Sequence, residues 1–371
     1  MTRRVATHPH PPPKQAIIQP PPETIPIRPG EDLPWPRLEA YLRAHLPDLT
    51  TGPFRVRQFP GGHANLTYWL NFGERELVLR RPPFGKIAPG AHDMQREYRV
   101  LSQLWSVFPA APRAYHLCTD ASVVGSDFVV MERRQGLVLR TAIHPSLASC
   151  GRAPMTDFSP AERCSDALMK ACADLHLVDP AAAGLADLGR PAGFVDRQLR
   201  GWTKRWTLAR LDDRPGMDQL MDRLRADVPA PQRVSLVHGD LKFDNCMFAP
   251  GEPDRVTTVL DWDMTTLGDP LIDLGGLLSY WPEDTPAGRL PTSMMTGDWP
   301  TKDWLKARYA THSGLDLSRM NWYEAFACYK SAVITQQLYA RFVAGKTQDR
   351  RMQQFGRVSE VFTQLGLAKI T

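Results

Sequence analysis

The chain has 371 residues, more than one average domain needs and enough for two lobes with real cores. Hydrophobic residues make up 43% and charged residues 23%, which excludes a wholly disordered chain. The formal net charge of +5, from 45 Lys and Arg against 40 Asp and Glu, does not imply a nucleic-acid partner and is compatible with an anionic ligand. Residues 1–36 hold eleven prolines, including Pro11-Pro12-Pro13 and Pro20-Pro21-Pro22. Such a segment lacks backbone donors and cannot bury a core, so residues 1–34 are expected to form a disordered, Pro-rich tail. Arg3 and Arg4 have no apolar stretch behind them, and nothing in the chain approaches the about 18 apolar residues a spanning helix needs. The six cysteines form no C-x-x-C pair and read as reduced thiols. The expectation is a soluble cytoplasmic protein with no membrane and no nucleic-acid partner.

Trp35 to Leu46 predicts a short amphipathic helix. Strand patterns follow at Phe54–Phe59, Leu66–Phe72 and Glu76–Arg80, with the turn Pro60-Gly61-Gly62-His63-Ala64-Asn65 between the first two. Asp93–Val107 reads as a helix, with Tyr98, Leu101, Leu104 and Trp105 on one face. Ala114–Cys118 and Asp127–Met131 read as two more strands. Beyond residue 132 helical patterns dominate: 161–177, 197–211, 217–226, 271–280, 301–313, 321–343 and 350–365. Short apolar strands interrupt them at 235–238, 246–248 and 256–260. A small β-rich lobe over 35–132 followed by a larger, mainly helical lobe over 133–371 predicts a bilobal α+β fold.

The chemistry concentrates in Val237-His238-Gly239-Asp240-Leu241-Lys242-Phe243-Asp244-Asn245. An Asp five residues before an Asn, in a loop between two short strands, has the spacing of a phosphotransferase catalytic loop. Asp240 would receive or orient a hydroxyl proton, while Asn245 would hold a metal ion close by. Sixteen residues after Asn245, the apolar run Val259-Leu260 ends in Asp261, a carboxylate suited to Mg²⁺. Taken singly, an Asp in a loop is a turn former or a helix cap; the ordered set, following five strands, is what carries the reading.

These segments resemble the aminoglycoside phosphotransferase and choline kinase-like superfamily, relatives of the protein kinases. The subgroup they are most similar to is the kinase-like domains fused to some acyl-CoA dehydrogenases. The resemblance runs through Gly61–Tyr68, Leu77–Pro83, Arg96–Leu101, His238–Asn245 and Asp261–Gly275 and spans roughly residues 35–365. It implies a protein-kinase-like fold with a five-stranded antiparallel N-terminal nucleotide-binding lobe carrying one helix, and a C-terminal lobe with the catalytic loop and the acceptor site. It also implies ATP and Mg²⁺ as cofactors. Asp240 would be the catalytic base or orienting carboxylate, and Asn245 and Asp261 the Mg²⁺ ligands. Arg80 would be the phosphate-binding cation and Glu97 its anchor. Protein kinases carry Lys where Arg80 stands; a guanidinium keeps the charge and binds phosphate through two donors.

Gly61, Gly62 and Asn65 belong to a turn that lacks the full G-x-G-x-x-G pattern. It either covers phosphates with its backbone N–H groups or is a plain hairpin turn. By resemblance, the Glu132 carbonyl and the Arg134 amide would pair with adenine, at a linker between lobes. Lys242 either reaches the transferred phosphate or is a surface lysine. Asp263 binds a second metal or caps a turn, Asp269 buttresses the catalytic loop, and His176 is a packed helix histidine without a catalytic role. Residues 281–371 carry twelve Lys and Arg against eight Asp and Glu, which favours a neutral or anionic acceptor over a polycation. The expected activity is transfer of the γ-phosphate of ATP to a hydroxyl of a small molecule, with a hydroxyacyl-CoA fitting charge and resemblance. The alternatives are an aminoglycoside or macrolide antibiotic kinase, and an inactive nucleotide-binding scaffold.

Overall fold

The computed structural model describes residues 19–370 except 61–64, 86–91, 283, 286–287 and 290–295. Two compact units emerge. The first contains the chain up to Tyr98 together with Ala114–Arg133, and the second contains Arg99–Arg113 and everything from Arg134 onward.

In the first unit, α1 (Trp35–His45) precedes β1 (Phe54–Gln58), β2 (Leu66–Phe72) and β3 (Arg75–Arg81). Then come α2 (Met94–Leu104), which starts in this unit, β4 (Ala114–Cys118), the single-turn α3 (Ala121–Val124) and β5 (Phe128–Glu132). The strands form one antiparallel sheet in the order β1-β2-β3-β5-β4. Tyr68, Leu70 and Phe72 of β2 join Leu77 and Leu79 of β3, Phe128 and Val130 of β5, and Leu38 and Leu42 of α1 in one buried cluster. Alternation along β3 then turns Val78 and Arg80 to the opposite face. The amphipathic pattern of residues 35–46 thus places a helix in this unit besides α2.

The expectation of a disordered tail over 1–34 fails for residues 21–33. Ile25 forms an antiparallel bridge with Gln58 on edge strand β1, with N–H···O distances of 2.8 and 3.0 Å. Tyr68 Oη donates to the Glu31 carbonyl at 2.6 Å, and Arg28 N–H donates to Gln58 Oε1 at 2.9 Å. Proline removes donors, but a short non-proline stretch can satisfy its own backbone on a sheet edge that otherwise has unpaired groups.

The second unit contains β6 (Leu137–Val138), the single-turn α4 (Pro145–Ala148), α5 (Pro160–Leu177), α6 (Phe194–Ala209) and α7 (Pro215–Ala226). It continues with β7 (Ser235–Val237), β8 (Cys246–Ala249), β9 (Glu252–Val259), β10 (Thr266–Gly268) and α8 (Leu271–Ser279). A two-residue pair follows, β11 (Asp284–Thr285) and β12 (Gly288–Arg289), then α9 (Lys302–Ser313), α10 (Met320–Val343) and α11 (Phe355–Lys369). A capping box, with Ser159 and Glu162 exchanging bonds, starts α5. Helix α10 packs against α6, α7, α8 and α11. Strands β6, β8 and β9 form one small sheet, and β7 pairs with β10. Arg99–Arg113 belongs to this unit: Val259 N–H donates to the Ala110 carbonyl at 2.7 Å, and Phe108 meets Trp262 edge-on at 6.0 Å. Among the described residues, no helix is long and apolar enough to cross a membrane. All six cysteines are free thiols, and burial pushes the Cys164, Cys172 and Cys246 thiols up, away from the reactive thiolate.

Candidate active site

Strand β7 ends at Val237 and delivers the loop His238–Lys242, which a single 3₁₀ turn, Phe243–Asn245, returns into β8. Gly239 makes the reversal possible. Its φ is +90°, and a Cβ there would sit 3.1 Å from Met264 Cβ. The turn brings the two ends of the motif together: Asn245 Nδ2 donates to the Asp240 carbonyl at 2.8 Å and to Asp240 Oδ2 at 3.0 Å. Lys242 Nζ donates to both Asp240 oxygens, at 2.9 and 2.8 Å, and lies 5.0 Å from the centroid of the Tyr280 ring. Burial tends to lower the Lys242 ammonium, but Asp240 outweighs it and the group stays above its ordinary value. Lys242 is therefore committed to Asp240 rather than being a free surface lysine.

The loop is tied to Asp261 through the main chain. His238 Nε2 donates to the Leu260 carbonyl at 2.9 Å, and Leu260 N–H donates to the Asn245 carbonyl at 2.8 Å. Asp261 follows at φ +70°, the left-handed region that Asp tolerates better than most residues. Trp262 is fully buried next to it, with its indole N–H on the Val259 carbonyl at 2.8 Å and its ring edge-on to His238 at 4.8 Å. Because the Asn245 amide nitrogen is engaged by Asp240, the atom it can offer a cation is Oδ1. An amide oxygen and a carboxylate are hard donors of the kind Mg²⁺ takes. Asp263 is half-buried.

The expectation that Asp269 buttresses the loop is corrected. Asp269 Oδ2 accepts from Tyr323 Oη at 2.6 Å, and its Oδ1 accepts from Leu271 N–H at 3.0 Å, capping α8. The loop is held instead by Asp273, in the first turn of α8. Its Oδ1 accepts from Gly239 N–H at 2.7 Å, and its Oδ2 accepts from His238 N–H and from His176 Nε2 at 3.3 Å. Burial alone would raise the Asp273 carboxyl; the His176 bond, the two histidines and the Gly239 amide reverse that and hold it below the ordinary range. His176 is fully buried, with Nδ1 accepting from Tyr309 Oη at 2.8 Å. Lys330 of α10 also reaches the loop, donating to the Gly239 carbonyl at 3.3 Å. Neither Asp273 nor Lys330 stands out from sequence reasoning as a loop contact. A lysine inside the mainly apolar run Phe326–Val333 is the one signal that points to Lys330.

In the first unit, Arg80 Nη1 pairs with Glu97 Oε1 at 2.9 Å; Glu97 is fully buried and Arg80 nearly so. Asn65 is buried at the start of β2, whereas Gly61 and Gly62 lie outside the described residues. Glu132, the last residue of β5, is opposite Leu77 in the sheet register. In the second unit, Arg134 Nη2 donates to the Ala111 carbonyl at 3.3 Å.

The chain matches the family described as "Phosphotransferase enzyme family" over residues 55–308. It is 33% identical over 349 residues to acyl-CoA dehydrogenase family member 10 of Mus musculus, covering 93% of this chain and 32% of that protein. It spans 32–42% of the length of the curated relatives it matches. Among solved structures, a putative aminoglycoside phosphotransferase from Ralstonia eutropha JMP134 is 31% identical at a TM-score of 0.72, covering 91% of this chain and 98% of that one. An aminoglycoside phosphotransferase crystallised with AMP-PNP and hygromycin B shares the fold at 16% identity and a TM-score of 0.55, covering 90% of this chain and 98% of its own.

Proposed function

Because the chain belongs to the phosphotransferase enzyme family, we propose that it transfers the γ-phosphoryl group of ATP to a hydroxyl of a small metabolite. The observation that supports this most directly is the hydrogen-bonded pair Asp240–Asn245, whose loop shares main-chain bonds with the residue before Asp261. In this reading Asp240 orients the acceptor hydroxyl and takes its proton. The acceptor oxygen forms the new bond to the γ-phosphorus. The bond to the β–γ bridging oxygen breaks, and its electron pair leaves with ADP. Lys242 bonds both Asp240 oxygens and so fixes the carboxylate assigned to the acceptor proton. Asn245 Oδ1 and Asp261 are the residues that would hold Mg²⁺, which when bound neutralises phosphate charge. Arg80, held by buried Glu97, is assigned to the nucleotide phosphates. The role of Gly61, Gly62 and Asn65 in covering phosphates, and of the Glu132 carbonyl and Arg134 amide in pairing with adenine, belongs to the same reading.

For the acceptor, the name of the Mus musculus relative and the positive balance of residues 281–371 favour an acyl-CoA-linked hydroxyl. The likeness to the Ralstonia structure supports a second reading, an aminoglycoside as acceptor. Transfer of labelled phosphate from ATP to a hydroxyacyl-CoA and to a set of aminoglycosides separates the two. The test of the core reading is Asp240→Ala. Transfer should fall by roughly 10²–10⁴-fold while Mg·ATP binding, measured by calorimetry, is retained. Full turnover in this variant would refute the assignment.

A further inference from the structure

Helix α6 turns one face into its own unit and leaves the other bare. Phe194, Val195, Leu199, Trp202, Trp206 and Ala209 are buried. Two bonds from α10 fix the helix in place: Gln336 Nε2 donates to the Ala209 carbonyl at 3.2 Å, and Tyr329 Oη donates to Thr203 Oγ1 at 3.3 Å. On the opposite face Arg197, Arg200, Lys204 and Leu208 recur every three to four residues and so form one stripe. Arg205 flanks the stripe, with its guanidinium 4.3 Å from the centroid of the Trp202 ring, and Arg210 follows at the helix end. Over residues 194–211 five cations stand against one acid, Asp196. Asp212 and Asp213 come next, and Arg214 takes up Asp212 at 2.9 Å.

The five cations are uncommitted. Among the described residues none of them forms an ion pair, and Arg197 bonds only to the Arg190 and Ala192 carbonyls. Elsewhere in this unit exposed arginines sit against carboxylates: Arg255 on Glu252 at 2.7 Å, Arg319 on Asp227 at 2.7 Å and Arg351 on Asp349 at 2.6 Å. Like charges three and four residues apart, here Arg197 with Arg200 and Arg200 with Lys204, weaken a helix. On the same stripe Leu208 is 78% exposed, and Leu211, three residues on, is 52% exposed. Unneutralised cations and leucines in water are both unfavourable in the free chain. One kind of partner relieves both, a surface with negative charge at its face and hydrocarbon just beneath. A nucleic-acid backbone would take the cations and leave the leucines in water.

We propose that the outward face of α6 is a peripheral docking surface for an anionic phospholipid bilayer. Arg200 and Lys204 engage the headgroups, and Leu208 and Leu211 enter the interface. A single weak signal gives only marginal membrane binding, and this face supplies two, charge and apolar area. It makes contact with a bilayer surface and does not span it. It revises the expectation of no membrane partner, which rested on the lack of a long apolar run. Because the buried face already holds the helix, docking orders no new segment. The inference does not depend on the phosphotransferase reading.

The test is co-sedimentation of the full chain with vesicles of phosphatidylcholine alone and of equimolar phosphatidylserine and phosphatidylcholine. The anionic vesicles should bind about tenfold or more tighter at low salt and lose that advantage as salt is raised. Each cation near an anionic leaflet contributes about fivefold, so Arg200→Gln with Lys204→Gln should weaken binding by about 25-fold. Leu208→Gln with Leu211→Gln should weaken it by about tenfold while the salt dependence persists. All four side chains are exposed, so both variants should melt no lower than wild type. Equal binding to the two kinds of vesicle, binding to neither, or binding untouched by loss of the leucines would overturn the proposal. In the last case, displacement of the vesicles by a single-stranded oligonucleotide would reassign the face to nucleic acid.

Discussion

Arg80 and Glu97 form a pair in which the carboxylate is wholly withdrawn from water. Removing one member of such a buried pair costs more than removing both. Arg80→Met should therefore destabilise the fold by about 3–5 kcal/mol, and Arg80→Met with Glu97→Leu should recover most of that. Urea denaturation of the two single variants and the double variant checks it; additive losses would contradict it. Legibility at this scale depends on distance along the chain. Asp240 and Asn245 can be read together because their partnership spans five residues, and the turn that joins them is local. Asp273 bonds to residues 34, 35 and 97 positions away, and no periodic pattern encodes which of two nearby carboxylates, Asp269 or Asp273, will face the loop. Where α8 begins decides it: Asp269 lies just outside the helix as a cap for Leu271, and Asp273 lies on its first turn.

Helix α8 sets two adjacent glycines against each other. Gly275→Ala would push a methyl into the Tyr323 carbonyl and drive α8 away from α10, costing about 1–3 kcal/mol. Gly276→Ala has open space and should stabilise the fold by about 0.5–1 kcal/mol. Opposite shifts in denaturation midpoint are the expected result; destabilisation by both would show that the space beside Gly276 is not open. Most elements were readable from periodicity, including the five strands of the first sheet, α5 and α10, because their apolar spacing matches the faces they bury. Strand β10 was not. Thr266–Gly268 carries no alternation of its own and exists because β7 offers it an edge to pair with. Residues 21–33 were missed for the opposite reason: proline content outweighed the few residues that bond to β1.

Across the whole molecule, buried carboxyls pull acid stability in both directions. Asp273 is depressed in the fold, so its stabilising contribution is complete above about pH 4 and is lost as pH falls through its lower folded value. Burial raises Asp244, and raises Asp269 despite its Tyr323 bond, so these two oppose folding at neutral pH and relax as they protonate. Asp273→Asn should lower stability near pH 7 and flatten the acid loss below about pH 4 relative to wild type. Thermal midpoints measured across that range test it; parallel curves would contradict it. The α+β class and the five-stranded sheet with a helical C-terminal part were legible from the order of patterns alone. The assignment of Arg99–Arg113 to the second unit was not, since it depends on Ala110 and Phe108 meeting Val259 and Trp262.

The Leu260 amide and carbonyl are both spoken for by the loop that carries Asp240, through Asn245 and His238. That makes one main-chain hydrogen a gauge of the site: it can be traded for deuterium only while the two loops are apart. Its protection factor would therefore count how often the proposed ligand positions separate, without any nucleotide, acceptor or turnover in the tube.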